Sequence, residues 1–323
     1  MSNDRSWQPV VGLVAAFLLG VILLVAAWTK AIDPLAFADE IARYGLDFLL
    51  PAWPMAILAV GLEIGLGLAL VLGLRRWWIL WPTGALIVLF LTLTGRTYWL
   101  WANGLLGDEA SCGCFGNLVQ RTPAEAFWQD LLMLVPLWLL AWLGRRTDRE
   151  AGFPAKRTVV VAVTILASML FTWQAPALPL DDLATRLSPG VGIEEICAGS
   201  GADADSICLD VLLPALTMGE HWVVVSELDN ETFVAGIEGL NALAADPAGA
   251  RLTVLSADPA ESHQAFFWQH GPAFDVREVP LPLIRPLYRV TPRSFRLDDG
   301  IVTLTVAGLR EGMGSAIATS EDQ

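Results

Sequence analysis

The sequence predicts a membrane-embedded α-helical bundle followed by a soluble α/β domain, and three observations carry that prediction. Of 323 residues, 54% are hydrophobic and only 17% charged, a balance poor in charge for a soluble chain of this size. The charge is also unevenly placed. Residues 1–176 hold 12 basic and 12 acidic residues, whereas residues 177–323 hold 8 and 22, a difference that accounts for the whole net charge of −14. Twelve of the 14 tryptophans lie in the first part, many near the ends of apolar runs, as an interfacial aromatic belt requires. The acidic second part argues against nucleic acid or anionic lipid as its partner, because like charges repel.

Five apolar runs, at 9–28, 53–74, 79–98, 124–143 and 158–173, are each near the ~20 residues needed to cross the hydrocarbon core. The first also admits a cleaved signal peptide, since Arg5 precedes it and Val25-Ala26-Ala27 offers small residues, but its length favours a retained anchor. Arg75 and Arg76 follow the second run, and Arg145, Arg146, Arg149, Lys156 and Arg157 separate the fourth from the fifth. Loops so enriched face the cytoplasm, which puts the N-terminus inside and, after five spans, the acidic domain outside. The division expected is a four-helix bundle over 1–150, a fifth span over 151–176 and an outer domain over 177–323. The connection between the third and fourth runs then shares the outer compartment, in a bacterium the oxidising periplasm.

Within the second run, Glu63 stands in Gly61-Leu62-Glu63-Ile64-Gly65, where a carboxylate costs ~2.5–3.5 kcal/mol to insert. It reads either as a neutral group hydrogen-bonded across helices or as part of a proton or quinone pathway. Gly61, Gly65, Ala69 and Gly73 recur every fourth residue and make a small face for close helix packing. Lys30, Asp33, Arg43 and Arg96 fall at outer span ends and read as snorkelling or locally paired side chains, with service of one of them at the active site as the alternative.

The connection between the third and fourth runs carries Ser111-Cys112-Gly113-Cys114-Phe115-Gly116, two of only four cysteines in the chain. A disulfide between Cys112 and Cys114 would close a very small ring, and such bonds are reduced easily. Gly113 removes the side chain that would obstruct it. The pair suits thiol exchange, with a static disulfide as the alternative. A metal site lacks ligands, since His221, His263 and His270 all lie in the other part.

With Lys30-Ala31-Ile32-Asp33-Pro34, Phe37, Tyr44, Leu50-Pro51, Glu63 and Cys112-Gly113-Cys114-Phe115-Gly116 in that order, residues 10–143 resemble the MauE branch of the DoxX-like membrane proteins. The resemblance implies a four-helix bundle beside periplasmic redox enzymes, with Cys112 and Cys114 as the redox pair. MauE itself is implicated in maturing methylamine dehydrogenase, whose small subunit is rich in disulfides. The fifth span and the acidic domain depart from the minimal family pattern.

After the Pro-rich exit at 174–179, the pattern turns globular. Strands are expected at 221–228, 251–257, 293–297 and 301–306, and helices at 232–245 and 260–270. Asp298-Asp299-Gly300 signals a hairpin turn. The order β-α-β-α-β-β is similar to a thioredoxin-like fold, with Thr291-Pro292 where that family carries its cis-proline. The departure is chemical: the junction of first strand and helix reads Ser226-Glu227-Leu228-Asp229-Asn230-Glu231 and has no Cys-x-x-Cys. Cys197 and Cys208, with ten residues between them, read as a structural disulfide or as a relay exchanging with Cys112 and Cys114. Asp203 and Asp205 lack the remaining ligands of a calcium loop. Arg285, Arg289, Arg293 and Arg296 read as surface ion pairs or a docking patch.

Two function classes follow. One is a thiol–disulfide oxidoreductase or accessory protein acting on a periplasmic client with cysteines, reoxidised by a membrane quinone if Glu63 serves that step. The other is a non-enzymatic assembly factor whose outer domain binds a client and whose cysteines are static. A transporter rests only on Glu63 and the five spans.

Overall fold

A computed structural model of the chain describes residues 8–46, 48, 50–105, 121–145, 155–198, 207–246 and 250–309. It has two compact units, Met1–Leu178 and Pro179–Gln323.

The first unit contains helices α1 (Gln8–Ile32), α2 (Pro34–Arg43), α3 (Ala52–Val71), α4 (Trp77–Ala102), α5 (Pro123–Leu143) and α6 (Ala155–Gln174). All but α2 are long and apolar enough to cross a membrane. One face of α1 is buried through Ala16, Leu19, Leu23 and Ala27, while Val14, Phe17, Val21 and Val25 face outward, as lipid contact requires. Glycines set the closest approaches. A Cβ on Gly20 would stand 2.6 Å from the Gly67 carbonyl oxygen, so α1 and α3 touch backbone to backbone. Gly61 and Gly65 receive Met169 and Ile165 of α6, which docks the fifth span on the small face of α3. Ala69 continues that face, fully buried; Gly73 does not, because it lies past the helix end with φ +74°. At the end where α1 begins, Arg75 donates to the Pro9 carbonyl and Arg157 to the Leu72 carbonyl, satisfying backbone groups at helix ends.

Helix α2 is too short and mixed in polarity for a span, and sequence periodicity did not predict it. Asp33 caps it, accepting from the Ala36 amide, and Pro34 starts it. Ala38 and Ile41 pack with Ala56 of α3.

The second unit opens with α7 (Asp181–Ala184), β1 (Cys197–Ala198), β2 (Ile207–Cys208) and α8 (Leu209–Leu212). Its body comprises β3 (Glu220–Val225), α9 (Glu231–Ala235), α10 (Ile237–Ala244), β4 (Arg251–Ser256), α11 (Ala260–His270), β5 (Asp275–Glu278), α12 (Leu281–Ile284), β6 (Arg293–Asp298) and β7 (Ile301–Ala307). The five-stranded sheet runs β5-β4-β3-β6-β7, with β3, β4 and β5 parallel and β6 and β7 antiparallel. This is a thioredoxin-like sheet with one added edge strand. Side chains alternate across it: Val223, Val225, Phe295 and Leu297 enter one core, and Trp222, Val224, Leu252 and Val254 the other.

Three expectations shift. Strand β5 was missed because Asp275-Val276-Arg277-Glu278 is polar, which suits an exposed edge. The helix expected over 232–245 breaks at Gly236, where the Leu309 side chain occupies the space of a Cβ. The first strand ends at Val225, and Ser226 to Asn230 form a turn held by Asp258, whose carboxylate accepts from the Leu228 amide at 2.7 Å. The hairpin turn is as expected, with Asp299 at φ 46° and Gly300 at φ 78°, and the Thr291–Pro292 bond is cis.

Candidate functional site

Cys112 and Cys114 lie outside the described residues, in the connection 106–120. Its roots are described. Helix α4 ends at Ala102, and α5 starts from a capping box in which Thr122 and Glu125 exchange hydrogen bonds. Arg121, the residue before that cap, turns into the bundle: its Nη1 lies 3.3 Å from Asp130 Oδ1 and 3.4 Å from Gln129 Oε1. Both members of the Arg121–Asp130 pair are buried.

Deeper at the same end, Lys30 Nζ donates to Glu63 Oε1 at 2.5 Å. Lys30 is 2% exposed and Glu63 fully buried. The ammonium sits over two rings, 5.0 Å from the Phe37 centroid and 4.7 Å from that of Phe90, so α2 and α4 wall the pair. The second Glu63 oxygen, Oε2, is buried and receives no hydrogen bond.

Of the two readings of Lys30, snorkelling or paired, the structure shows the paired one, with the partner on another helix rather than nearby in sequence. Snorkelling needs a side chain on the lipid-facing or terminal surface, but Lys30 continues the stripe Leu19, Leu23, Ala27 at three- and four-residue spacing. That spacing was the available signal; the notice given to span ends concealed it. Asp33 is the α2 cap, Arg43 is exposed, and exposed Arg96 reaches the Tyr44 carbonyl at 3.5 Å. Arg121 and Asp130 form a second buried pair, and nothing in the length or hydropathy of the fourth apolar run marks Asp130.

In the second unit, Cys197 and Cys208 are bonded to each other, directly opposite on β1 and β2. Where a thioredoxin carries its dithiol, Asn230 accepts from the Phe233 amide to cap α9, and its amide group donates to the Thr291 carbonyl and hydroxyl oxygens at 3.2 and 3.4 Å. The junction next to the cis-proline is thus braced by an amide and holds no thiol.

The arginine cluster expected at the surface divides. Arg293 is 1% exposed and pairs with Asp181 at 2.8 Å, because its position on β6 has the same parity as Phe295 and Leu297 and points into their core. Arg289 is buried as well. Arg285 lies over the Tyr288 ring, and Arg296 makes an exposed pair with Glu220. His221 is buried with its ring nitrogen 3.0 Å from the Met218 carbonyl, and His270 packs on Phe266. Among the described residues no group of three or more His, Cys, Asp or Glu is placed to hold a metal ion.

Residues 8–143 match the family model described as methylamine utilisation protein MauE. The first unit is a MauE-like membrane domain. The match takes in α1 to α5 and the connection with Cys112 and Cys114, and stops before α6. This MauE-like domain is fused to the thioredoxin-like domain described above. A solved structure assigned to a thiol:disulfide interchange protein, DsbE, from Chlorobium tepidum aligns at 20% identity and a TM-score of 0.31, over 40% of this chain and 92% of its own. No curated protein gives a significant match.

Proposed function

We propose that this chain is a multi-pass inner-membrane protein that exchanges disulfides with a periplasmic client through Cys112 and Cys114. The observation that carries the reading is two buried ion pairs in the membrane unit, Lys30–Glu63 and Arg121–Asp130, the second starting at the residue where the described chain resumes after the Cys-Gly-Cys connection. Charges buried in a membrane bundle cost stability and are retained for function. A thiolate of the pair attacks a client disulfide, or a client thiolate attacks the Cys112–Cys114 disulfide, through a mixed disulfide. Reoxidation by a membrane quinone closes the cycle. The family description suggests a client in periplasmic redox-enzyme maturation, of the methylamine-utilisation kind. Basic residues Arg75, Arg76, Arg145, Lys156 and Arg157 favour a cytoplasmic face for the end where α1 begins, which sends the chain after α6 to the periplasm.

The test is trapping. With Cys114→Ala, acid-quenched intact cells should yield a mixed disulfide between Cys112 and a client or the Cys197/Cys208 pair. Absence of any adduct, with client cysteines oxidised normally, would refute the reading.

A second reading, a non-enzymatic assembly factor, is favoured by one observation: the Asn230 brace stands where the outer domain would need a thiol. On that reading the Cys112→Ser/Cys114→Ser double variant matures its client as well as the unsubstituted protein does.

A further inference from the structure

The second unit carries an apolar surface that neither cysteine pair uses. Between Asp210 and Glu220 the chain reads Val211-Leu212-Leu213-Pro214-Ala215-Leu216-Thr217-Met218-Gly219, without a charge, although residues 177–323 hold 8 basic and 22 acidic residues. In the one-turn helix α8, Leu209 and Leu213 are four apart and share the inner face, so Val211 between them takes the outer one. Leu216 enters the core. Val211, Leu212, Pro214, Ala215 and Met218 are exposed, Val211 at 73% and Met218 at 76%.

This segment lies along the tip of the β6–β7 hairpin. The Gly219 amide donates to Asp299 Oδ1 at 2.8 Å, and the Asp299 amide to the Gly219 carbonyl at 3.1 Å. A Cβ on Gly300 would stand 3.4 Å from Thr217 Cα. Exposed Ile301 of β7 extends the apolar surface. Carboxylates rim it. Glu220, Asp298 and Asp299 are exposed at this end of the sheet, and exposed Glu194 and Glu195 follow Ile193, whose amide donates to the Gly300 carbonyl. Of the cations at this end, Arg296 is paired with Glu220 at 2.7 Å, and Arg251 lies beyond β3, opposite His221.

A contiguous exposed apolar patch with a polar rim marks an interaction site, and the rim decides what fits. A second copy would set the same carboxylates against each other, and an anionic bilayer would also be repelled. The unit begins at Pro179, two residues before Asp181, and Asp181 pairs with Arg293 at the far end of β6, about 17 Å from Asp298 at ~3.4 Å per residue. We propose that the apolar segment 211–218 beside the β6–β7 hairpin is a docking surface for a partner protein that presents an apolar face rimmed by lysine and arginine. The inference holds on either reading of the cysteines, since no thiol takes part in it. Burial of Val211 and Met218 supplies the contact, and the acidic rim selects and orients the cationic partner.

The experiment replaces Met218 of the full chain with the photo-reactive residue benzoylphenylalanine and irradiates the native host, with and without Cys112→Ser/Cys114→Ser. The expected result is one captured protein, in both backgrounds, whose cross-linked peptides lie on an apolar face rimmed by lysine and arginine. Purified, that protein should bind the full chain in neutral detergent with an affinity that falls about tenfold or more in Val211→Glu/Met218→Glu. Both side chains point to solvent, so these substitutions leave the core intact. Added salt should weaken binding, and Glu194→Gln/Glu195→Gln, which keeps the apolar surface, should bind less tightly and lose part of that salt dependence. Capture of a second copy alone, of lipid alone, or of nothing would overturn the inference. So would a captured protein whose binding ignores these variants and salt, or capture lost in the cysteine variant. Because light rather than a thiol makes the adduct, none of these failures bears on the mixed-disulfide trapping that tests the exchange reading.

Discussion

Removing one partner of the Lys30–Glu63 pair should destabilise the membrane unit far more than removing both. Both side chains are enclosed, with 2% and 0% exposure, so neither can recruit bulk water when its partner is lost. Breaking a buried pair from one side costs about 3–5 kcal/mol, whereas replacing both members with apolar groups is often neutral or stabilising. Lys30→Met should also lose the ammonium contacts with Phe37 and Phe90, about 0.5–2 kcal/mol more at a desolvated site. Glu63→Leu leaves the Lys30 ammonium among apolar groups and two rings. The single variants together should therefore sum to roughly 6–10 kcal/mol, while the double variant Lys30→Met/Glu63→Leu stays within about 2 kcal/mol of the unsubstituted protein. Twelve of the 14 tryptophans belong to this unit, so their fluorescence follows its unfolding in mixed micelles under increasing denaturing detergent. Additive single effects, with a coupling energy below about 0.5 kcal/mol, would refute the argument that these two charges hold each other in a closed interior.

Three further outcomes follow from the packing. Gly65→Leu forces a Cβ to within 2.5 Å of Ile165, so α6 should separate from α3; the cost, about 1–3 kcal/mol or more, is read by loss of cysteine cross-linking between the two helices. Asn230→Ala removes the cap of α9 and the tie to Thr291, lowering stability by about 1–2 kcal/mol and speeding amide exchange at Phe233, measurable by hydrogen exchange. Cys197→Ala opens the loop closed by Cys208 and should cost about 3 kcal/mol by loop entropy, read by proteolysis of residues 179–323 in the full chain; unchanged protease resistance would contradict it.

Much of the second unit was readable because its strands are short apolar runs bounded by turn residues. His221 to Val225 and Arg251 to Ser256 announce themselves, and Ala260–His270 was located to the residue. What escaped was whatever lacks an apolar signature. Polar β5 is such a case, and so is the helix break at Gly236, a position packed against Leu309 from 73 residues later. Arg293 looked like a surface charge because composition says nothing of which side of a strand a residue takes. In the first unit, Glu63 stood out by its insertion cost, but its partner did not, since Lys30 lies 33 residues away on another helix.

By itself, then, the sequence determined the division into an apolar and an acidic part, the five helices apolar enough to span a membrane, the hairpin at Asp299-Gly300 and the missing dithiol of the second unit. These are local properties, set by transfer free energy and by backbone preference over a few residues. Tertiary structure alone decided which buried charges meet. The Gly20–Gly67 approach fixes how far α1 and α3 can close, and that closeness brings Lys30 onto Glu63. It decided equally that α6 fills the Gly61–Gly65 face, and that the cis-proline turn of the second unit is braced by Asn230. Each is a contact between segments distant in sequence, and no period or composition within either segment encodes the other.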